Sequence, residues 1–382
     1  MNVPKIRFND FDDNIIKISI KELGNVITGT TPSTTDRSNY GDEYLWASPV
    51  DMGDFKYINN TKTKLSEKGF NKTRCVPKDS ILITCIGSTI GKTGMASKEM
   101  STNQQINTLI PNKIYNSDYL YYCINFNFPR FLNKISFQAV PIISKSVFEK
   151  LEVSITKNIY EQEKIGKLLS LLDKKIELQS KKIEDLKLFK LYTKNQLFRS
   201  GEKVVKLKDI LNKWNEKNKD GSIKYVESIS NKYGFISQSD QFEDRNIASK
   251  DLKNYYVIRK NVFGYNPSRL NVGSLALKEN DNTSVVSPLY ECFTTTQNNK
   301  FMLEWFDSKY FKKGTLSKFE GGVRNTLNFT NLCEIEINLP TLDKQNEFAN
   351  YLYNFDKKIQ LEELKLNKLN EMKKGLMQNM FV

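Results

Sequence analysis

The chain repeats itself at an offset of 183 residues, and this repeat constrains its fold more than any other feature. Positions 161–198 share 11 of 38 residues with positions 344–381, including the run DKKI that begins at Asp173 and again at Asp356. A looser likeness precedes both segments. The pattern predicts two similar halves, each built as a domain followed by a helix.

The repeated segments are predicted to be long amphipathic helices that pair with each other. Their apolar residues recur at spacings of three and four, and neither segment contains proline. This pattern is typical of a coiled-coil seam of about four heptads. The predicted seam consists of Leu169, Leu172, Ile176, Gln179, Ile183 and Leu186 in the first helix and Leu352, Phe355, Ile359, Glu362, Leu366 and Leu369 in the second.

Gln179 and Glu362 are the polar members of this seam, and they occupy the same step of the two repeats. A matched polar residue in an apolar seam commonly fixes the register of partner helices. We therefore expect an antiparallel pair. The alternative is two independent surface helices, each packed on its own domain.

The segments before the helices mix short apolar runs with Gly, Pro and Ser turns, which predicts α+β domains. The predicted strands are 44–46, 80–84, 107–110, 151–155, 255–258, 290–294 and 333–337, and the predicted short helices are 118–125 and 300–306.

Charge and composition narrow the classes of function. The chain has 58 basic and 44 acidic side chains, a net charge of +14, and no histidine. An excess of positive charge favours a polyanionic partner, with nucleic acid as the first candidate and an anionic membrane surface as the second. The five cysteines have no metal-ligand spacing, so we expect reduced, buried thiols and no metal site.

The turn GSTIGKT at 87–93 resembles a phosphate-binding loop but has three residues between its glycines, where the nucleotide-binding motif has four. We find no nucleophile elbow, cofactor motif or metal cluster elsewhere. The sequence therefore predicts a protein that is not itself an enzyme.

The motifs and their duplicated order resemble the specificity (S) subunits of type I restriction-modification enzymes. In the first half the resemblance rests on ITGTTPS at 27–33, WASPVD at 46–51, residues 79–92 and TNQQ at 102–105. In the second half it rests on YNPSR at 265–269, VSPLY at 286–290 and GGVR at 321–324.

This resemblance implies an α+β fold with two target recognition domains in tandem, separated by two long helices that form an antiparallel coiled coil. The implied segments are recognition domain 1 (1–156), a central spacer helix (157–199), recognition domain 2 (200–342) and a C-terminal spacer helix (343–382). The implied partners are double-stranded DNA with a bipartite, asymmetric target, two methyltransferase (M) subunits and restriction/translocase (R) subunits. S-adenosylmethionine and ATP with Mg²⁺ would belong to those partners and not to this chain.

Loop amides and arginines suit base edges, whereas hydroxyls and lysines suit phosphates. The residues expected to contact bases are Asn103, Gln104, Gln105, Arg269 and Arg324, and Asn266 and Tyr290 are also expected to contact DNA. The residues expected to contact phosphates are Thr30, Ser33, Ser88, Lys92 and Lys145. For each loop residue the alternative is plain solvation, and for Tyr290 it is a place in the core.

Two other classes of protein stay open at this point. One is a stand-alone, two-headed DNA-binding or regulatory protein, which would bind DNA without a partner. The other is a nuclease or methyltransferase.

The sequence contains no apolar run of the roughly 20 residues that a transmembrane helix needs, and its first residues lack an apolar signal core, so we expect a cytoplasmic protein with no membrane partner.

Overall fold

The structure, a computed structural model, describes residues 3–53, 55–132, 141–199, 201–231, 233–238, 251–270, 273–319 and 326–382. These residues form two compact units. Unit 1 comprises Met1–Lys182 and Glu362–Val382, and unit 2 comprises Ile183–Leu361. Each unit therefore contains one α+β domain and one part of each long helix.

Unit 1 contains many short strands. They are β1 (Ile15–Ser19), β2 (Gly24–Thr28), β3 (Tyr40–Gly41), β4 (Tyr44–Ala47), β5 (Tyr57–Ile58), β6 (Lys64–Leu65), β7 (Cys75–Val76), β8 (Ile81–Thr84), β9 (Thr93–Ala96), β10 (Met100–Thr102), β11 (Ile106–Pro111) and β12 (Glu152–Thr156). Its helices are α1 (Ile20–Leu23), α2 (Glu67–Phe70), α3 (Ser117–Leu132) and α4 (Lys145–Glu149). The first long helix is α5 (Ile159–Leu197), of which residues 159–182 belong to this unit.

Unit 2 contains a second series of strands. They are β13 (Lys203–Lys206), β14 (Leu211–Trp214), β15 (Glu227–Ser230), β16 (Gly234–Ser237), β17 (Tyr256–Ile258), β18 (Phe263–Tyr265), β19 (Leu275–Leu277), β20 (Ser284–Val286), β21 (Glu291–Thr295) and β22 (Glu336–Leu339). Its helices are α6 (Asn299–Phe306), α7 (Lys309–Thr315), α8 (Phe329–Cys333) and the first part of α9 (Leu342–Met380).

The same sheet topology recurs in both units. In unit 1 five strands are ordered β2-β11-β8-β9-β5, and in unit 2 four strands are ordered β14-β21-β18-β19. The antiparallel pair β1–β12 has its counterpart in β13–β22, and each pair precedes a long helix. The predicted fold class, two α+β domains in tandem with two long helices, is confirmed.

Most of the predicted short elements are confirmed to within a few residues. Residues 333–335 are the exception: they were predicted to begin a strand, but Cys333 is the last residue of α8 and the strand begins at Glu336. The side chain of Asn328 caps α8 by accepting from the Asn331 amide, which favours a helix over the expected strand. The five cysteines are free thiols: Cys85, Cys123 and Cys292 are buried, as predicted, whereas Cys75 and Cys333 are only half-buried.

A buried glutamine anchors each long helix to its domain. The Gln162 amide accepts a hydrogen bond from the Asn116 backbone N–H (2.9 Å) and donates to the Thr156 carbonyl (2.8 Å). In unit 2 Gln345 accepts from the Asn298 N–H (3.1 Å) and donates to a backbone carbonyl in the same way. A buried side-chain amide needs a partner for its N–H donors and for its carbonyl oxygen, and glutamine finds both at this position in each repeat.

The last residues of each long helix complete the core of the unit in which they end. Phe381 is 5% exposed and packs against Tyr119 (ring centroids 5.5 Å apart) and Phe126 (5.8 Å). Its repeat counterpart Phe198 is 3% exposed and packs edge-on against Phe301 (5.4 Å). The end of the second repeat therefore forms part of unit 1, and the end of the first repeat forms part of unit 2.

Replacing Phe381 with alanine is expected to destabilise unit 1 by about 3–5 kcal/mol, because it leaves a cavity in a core of aromatic rings. Hydrogen exchange should accelerate in β2, β8, β11 and α3. The exposed Leu364 lies on the same helix, and Leu364→Ala should change the free energy of unfolding by less than about 0.5 kcal/mol. Equal protection in both variants would contradict this packing role.

Candidate nucleic-acid interface

The candidate residues of unit 1 lie on loops at one edge of the five-stranded sheet. The strand register pairs Thr28 with Asn107, Ile106 with Thr84, and Ile83 with Thr93. The end of β2, the start of β11 and the β8–β9 connection therefore meet at the same edge. We call residues 29–33, 85–92 and 103–105 the loop edge of unit 1.

The 29–33 loop is fixed by backbone contacts. The Thr30 N–H donates to the Thr102 carbonyl (2.8 Å), and its own carbonyl accepts from the indole N–H of Trp46 (3.0 Å). The Thr30 hydroxyl accepts from the Arg74 N–H (2.9 Å), so this residue is half-buried and already engaged. Ser33 is exposed, and its hydroxyl lies 2.8 Å from that of Thr35.

The three amide side chains of the 103–105 turn have different roles: one is buried and supports the turn, and another lies at the surface. Asn103 is 7% exposed; its Oδ1 accepts from the Gln105 N–H and its Nδ2 donates to Gln105 Oε1, both at 3.0 Å. Gln104 is exposed and accepts a hydrogen bond from the Thr31 hydroxyl. In this arrangement Asn103 orients Gln105, and Gln104 presents its amide at the surface.

The 85–92 connection is a tight turn that holds two exposed polar side chains. Gly87 (φ +94°) and Gly91 (φ +93°) adopt the left-handed conformation that favours glycine. Ser88 and Lys92 are exposed between and beside them. Lys145, at the start of α4, is also exposed and lies 3.6 Å from the Glu149 carboxylate.

The candidates of unit 2 lie at the equivalent edge of its sheet, on residues 266–270, 273–274 and 287–290. Asn266 accepts from the Ser268 N–H (3.0 Å) and so shapes the turn that exposes Arg269. Tyr290 is half-buried among Ile258, Val262, Val286 and Cys292, and its hydroxyl lies 3.4 Å from the Ile229 N–H. Its ring therefore belongs to the core of this edge. Arg324 lies outside the described residues.

The predicted seam residues lie at buried or half-buried positions of the long helices. Those of unit 1 are Leu169, Leu172, Ile176, Gln179, Glu362, Leu366 and Leu369, and those of unit 2 are Ile183, Leu186, Leu352, Phe355 and Ile359. In unit 1 the Gln179 amide donates to the Glu362 carboxylate (2.7 Å) and to its backbone carbonyl (2.9 Å). The two polar seam residues thus contact each other, as their matched positions indicate.

Charged pairs repeat beside the seam. In unit 1 Lys373 lies 2.6 Å from the Asp173 carboxylate, and in unit 2 Lys190 lies 2.7 Å from Asp356. These are equivalent positions of the two repeats, with the partners exchanged between the helices. Within unit 1, Asp173 of α5 pairs with Lys373 of α9, whereas Gln179, later in α5, contacts Glu362, earlier in α9. The two helices are therefore antiparallel there.

A family model described as the type I restriction modification DNA specificity domain matches the chain twice, at residues 13–188 and 200–371. The chain belongs to this family. Each copy of the DNA specificity domain contains one recurring sheet, one loop edge and most of one long helix.

Curated relatives carry the same description. The MjaIX specificity subunit of a type I restriction enzyme from Methanocaldococcus jannaschii is 31% identical over 173 residues, 44% of this chain and 40% of that protein. The HindI specificity subunit of Haemophilus influenzae is 36% identical over 27% of this chain and 23% of that protein. The matched part thus spans less than half of either relative. The MjaVIII specificity subunit of Methanocaldococcus jannaschii is 23% identical over 80% of this chain and 79% of that protein.

A solved structure has the same fold over the whole chain. The S subunit of a type I restriction-modification system from M. genitalium has a TM-score of 0.59 at 17% identity, covering 100% of this chain and 99% of that chain. Within the described residues, no helix of this DNA specificity protein is long and apolar enough to cross a membrane.

Sequence reasoning missed two contributors to the loop edge of unit 1. Arg74 is exposed, and its guanidinium donates to the Thr28 carbonyl (2.9 Å). Thr31 holds the Gln104 side chain. Arg74 is one of two basic residues in the segment KTR at 72–74, which is a weak signal, whereas Thr31 carries none beyond its place next to Thr30.

The carboxylate of Glu362 supplies a test of helix pairing by pH. Hydrogen bonds from Gln179, and from Lys182 and Lys365 (3.0 Å each), lower the pKa of Glu362 from 4.5 to about 2. A carboxylate whose pKa falls on folding stabilises the folded state above its ordinary pKa, and this contribution is lost as the pH falls through the lowered value.

Glu362→Gln should therefore lower the free energy of unfolding at pH 7, and its difference from the wild type should shrink as the pH falls from about 4.5 toward 2. Urea denaturation across this range measures the difference. The exposed Glu371 on the same helix is the control, since Glu371→Gln removes the same charge away from the seam. If the difference in the free energy of unfolding does not vary with pH, the charge of Glu362 does not stabilise the folded state through these ion pairs.

Proposed function

We propose that this chain is the DNA sequence-recognition subunit of a type I restriction-modification complex, and that its two domains read the two halves of a bipartite, asymmetric target. The observation that carries the proposal is the recurrence of one loop edge at the same end of the same sheet in both units. Two copies of a family described as a DNA specificity domain support it. The net charge of +14 favours a polyanionic ligand.

The described loop residues have different roles in this proposal. Gln104, Gln105 and Arg269 have polar groups suited to base edges, while Asn103 orients Gln105 and Asn266 shapes the turn that carries Arg269. Ser33, Ser88, Lys92 and Lys145 are exposed hydroxyls and ammonium groups suited to phosphates. The base contact of Arg324 stays a prediction.

We also propose that the long helices dock two methyltransferase (M) subunits, and that restriction/translocase (R) subunits join that core. Outside the seam and the cleft described below, the helices of unit 1 expose Leu178, Leu364 and Met372, each between 56% and 60%. Apolar side chains at this exposure favour a protein partner. S-adenosylmethionine and ATP with Mg²⁺ would be bound by those partners. A solved structure that addresses complex assembly of the type I restriction-modification system contains a chain with the same fold, at TM-score 0.59 and 11% identity.

The proposal is tested by exchanging recognition domain 1. Residues 1–156 are replaced by those of a related specificity subunit that keeps aromatic residues where Tyr119 and Phe126 contact Phe381, so that unit 1 still closes. Long-read sequencing of methylated adenines, in cells that supply the M subunits, should show one half of the target changed and the other half kept. A change in both halves, or tight specific binding by the chain without M subunits, would contradict it.

Two single substitutions should separate reading from positioning on the loop edge of unit 1. Gln104→Ala should relax preference at one target position, at a cost of about 1–3 kcal/mol for the preferred base. Lys92→Ala should leave the preference intact and reduce the log–log salt slope of binding by about 0.9.

Lys98 follows β9 at the opposite end of the sheet and is exposed, so Lys98→Ala is the matched control and should change neither quantity. Anisotropy titrations of the assembled complex, with each base of the target varied, measure both. The opposite pattern would exchange the two roles, and wild-type behaviour in both variants would leave the loop residues merely solvated.

A further inference from the structure

Unit 1 contains an open cleft of about 810 Å³ between its domain and its part of the long helices. One wall comes from residues 53, 55–57 and 91–93 and from α3, and the other comes from residues 167–177 of α5 with Asn370 and Lys373 of α9. Lys92 of the loop edge lines this cleft. The cleft is therefore continuous with the surface assigned to DNA.

The inner charges of the cleft already have partners. The Lys56 ammonium is 5% exposed and lies 2.5 Å from the Asp118 carboxylate and 2.7 Å from the Ser170 hydroxyl. The Asp173 carboxylate accepts from the Tyr122 hydroxyl (2.6 Å) and pairs with Lys373 (2.6 Å). These carboxylates are satisfied within the protein, so the floor of the cleft attracts no further cation.

The rim of the cleft differs, because its lysines lack such partners. Lys92, Lys167 and Lys174 are exposed, and within the described residues none of them forms an ion pair. Glu177 is the one exposed carboxylate among the lining residues described, so the rim keeps an excess of positive charge. The stem of Lys92 lies over Gly53, where an added Cβ would come within 3.3 Å of it.

The spacing of the two helix lysines matches a regular polyanion. Lys167 and Lys174 are seven residues apart, so they project from one face of α5 about 10 Å apart along its axis. Along B-DNA this is close to the rise of three base pairs. Phe55 and Leu171, which are 48% and 58% exposed, also line the cleft and offer apolar contact to the non-ionic edge of a sugar.

We propose that this cleft binds the sugar–phosphate backbone of duplex DNA next to the half-site read by domain 1, with Lys167 and Lys174 of α5 joining Lys92. The inference rests on the proposed function and deepens it. The first long helix then holds DNA directly, in addition to pairing with α9. Duplex DNA is favoured over an acidic protein segment because the cleft shares Lys92 with the loop edge.

The test is the salt dependence of DNA binding by the assembled complex with its M subunits. In the double variant Lys167→Ala, Lys174→Ala, the log–log slope should be shallower by about 1.8, which is two phosphate contacts at about 0.9 each. Affinity should fall by the same factor for a duplex with the target and for one without it. Arginine at both positions should restore the slope.

The control removes the same charge from the same helix. Lys175 and Lys181 are exposed on α5 and do not line the cleft, so Lys175→Ala, Lys181→Ala should keep the wild-type slope, apart from a small uniform field effect. An unchanged slope in the cleft variant, or equal losses in both variants, would overturn the proposal.

Two further outcomes separate the cleft from the proposed function. If the cleft variant no longer assembles with M subunits while the control does, the cleft binds an acidic protein segment and the DNA assignment is wrong. If the wild-type complex itself shows no preference between the two duplexes, the proposed function fails. A specific wild-type complex whose cleft variant keeps its slope contradicts the cleft alone.

Discussion

The pairing of α5 with α9 is the interaction on which the rest of the structure depends. Neither domain has a complete core without the end of a helix from the other repeat: Phe381 packs into unit 1, and Phe198 packs into unit 2. A one-step slip of the pair would separate the Gln179 amide from the Glu362 carboxylate and from its backbone carbonyl. Because a matched polar pair in an apolar seam favours the register that joins its members, this contact selects one register among those that the apolar seam would tolerate.

Exchange between repeats also explains which positions of the duplication stay identical. Asp173 and Lys190 of the first repeat pair with Lys373 and Asp356 of the second, so each side chain must suit a partner from the other copy. The buried glutamine stays identical for a different reason, since in each copy it bonds backbone groups of its own domain. The loop edges carry no such constraint, since their side chains face solvent or a ligand. The two halves can therefore diverge in their loop sequences while their helices remain alike.

The helices could be predicted from the sequence because their period and their repeat are visible along the chain. The loop edges could be located from the sequence, but the roles of their individual residues could not be predicted. Asn103, Gln104 and Gln105 have nearly the same side-chain chemistry, and only the hydrogen bonds and burial within the turn show that Asn103 is turned inward to hold Gln105. Tyr290 is similar: its place among Val286 and Cys292 depends on cross-strand packing, which a motif does not encode. The hydrogen bond from Thr31 to Gln104 likewise cannot be predicted from the sequence.

The contacts of Lys56 connect the domain of unit 1 to the first long helix. Lys56 joins the strand side of the domain to Asp118 of α3 and to Ser170 of α5, and its ammonium lies 4.9 Å from the Tyr122 ring. Burial lowers the pKa of this lysine, so keeping it charged depends on the carboxylate beside it. A buried cation held by two elements resists rotation of the domain about the helix. Since base readout tolerates little misplacement of an amide, a stiff joint of this kind would suit the proposed engagement of one DNA backbone by one helix face and one loop edge together.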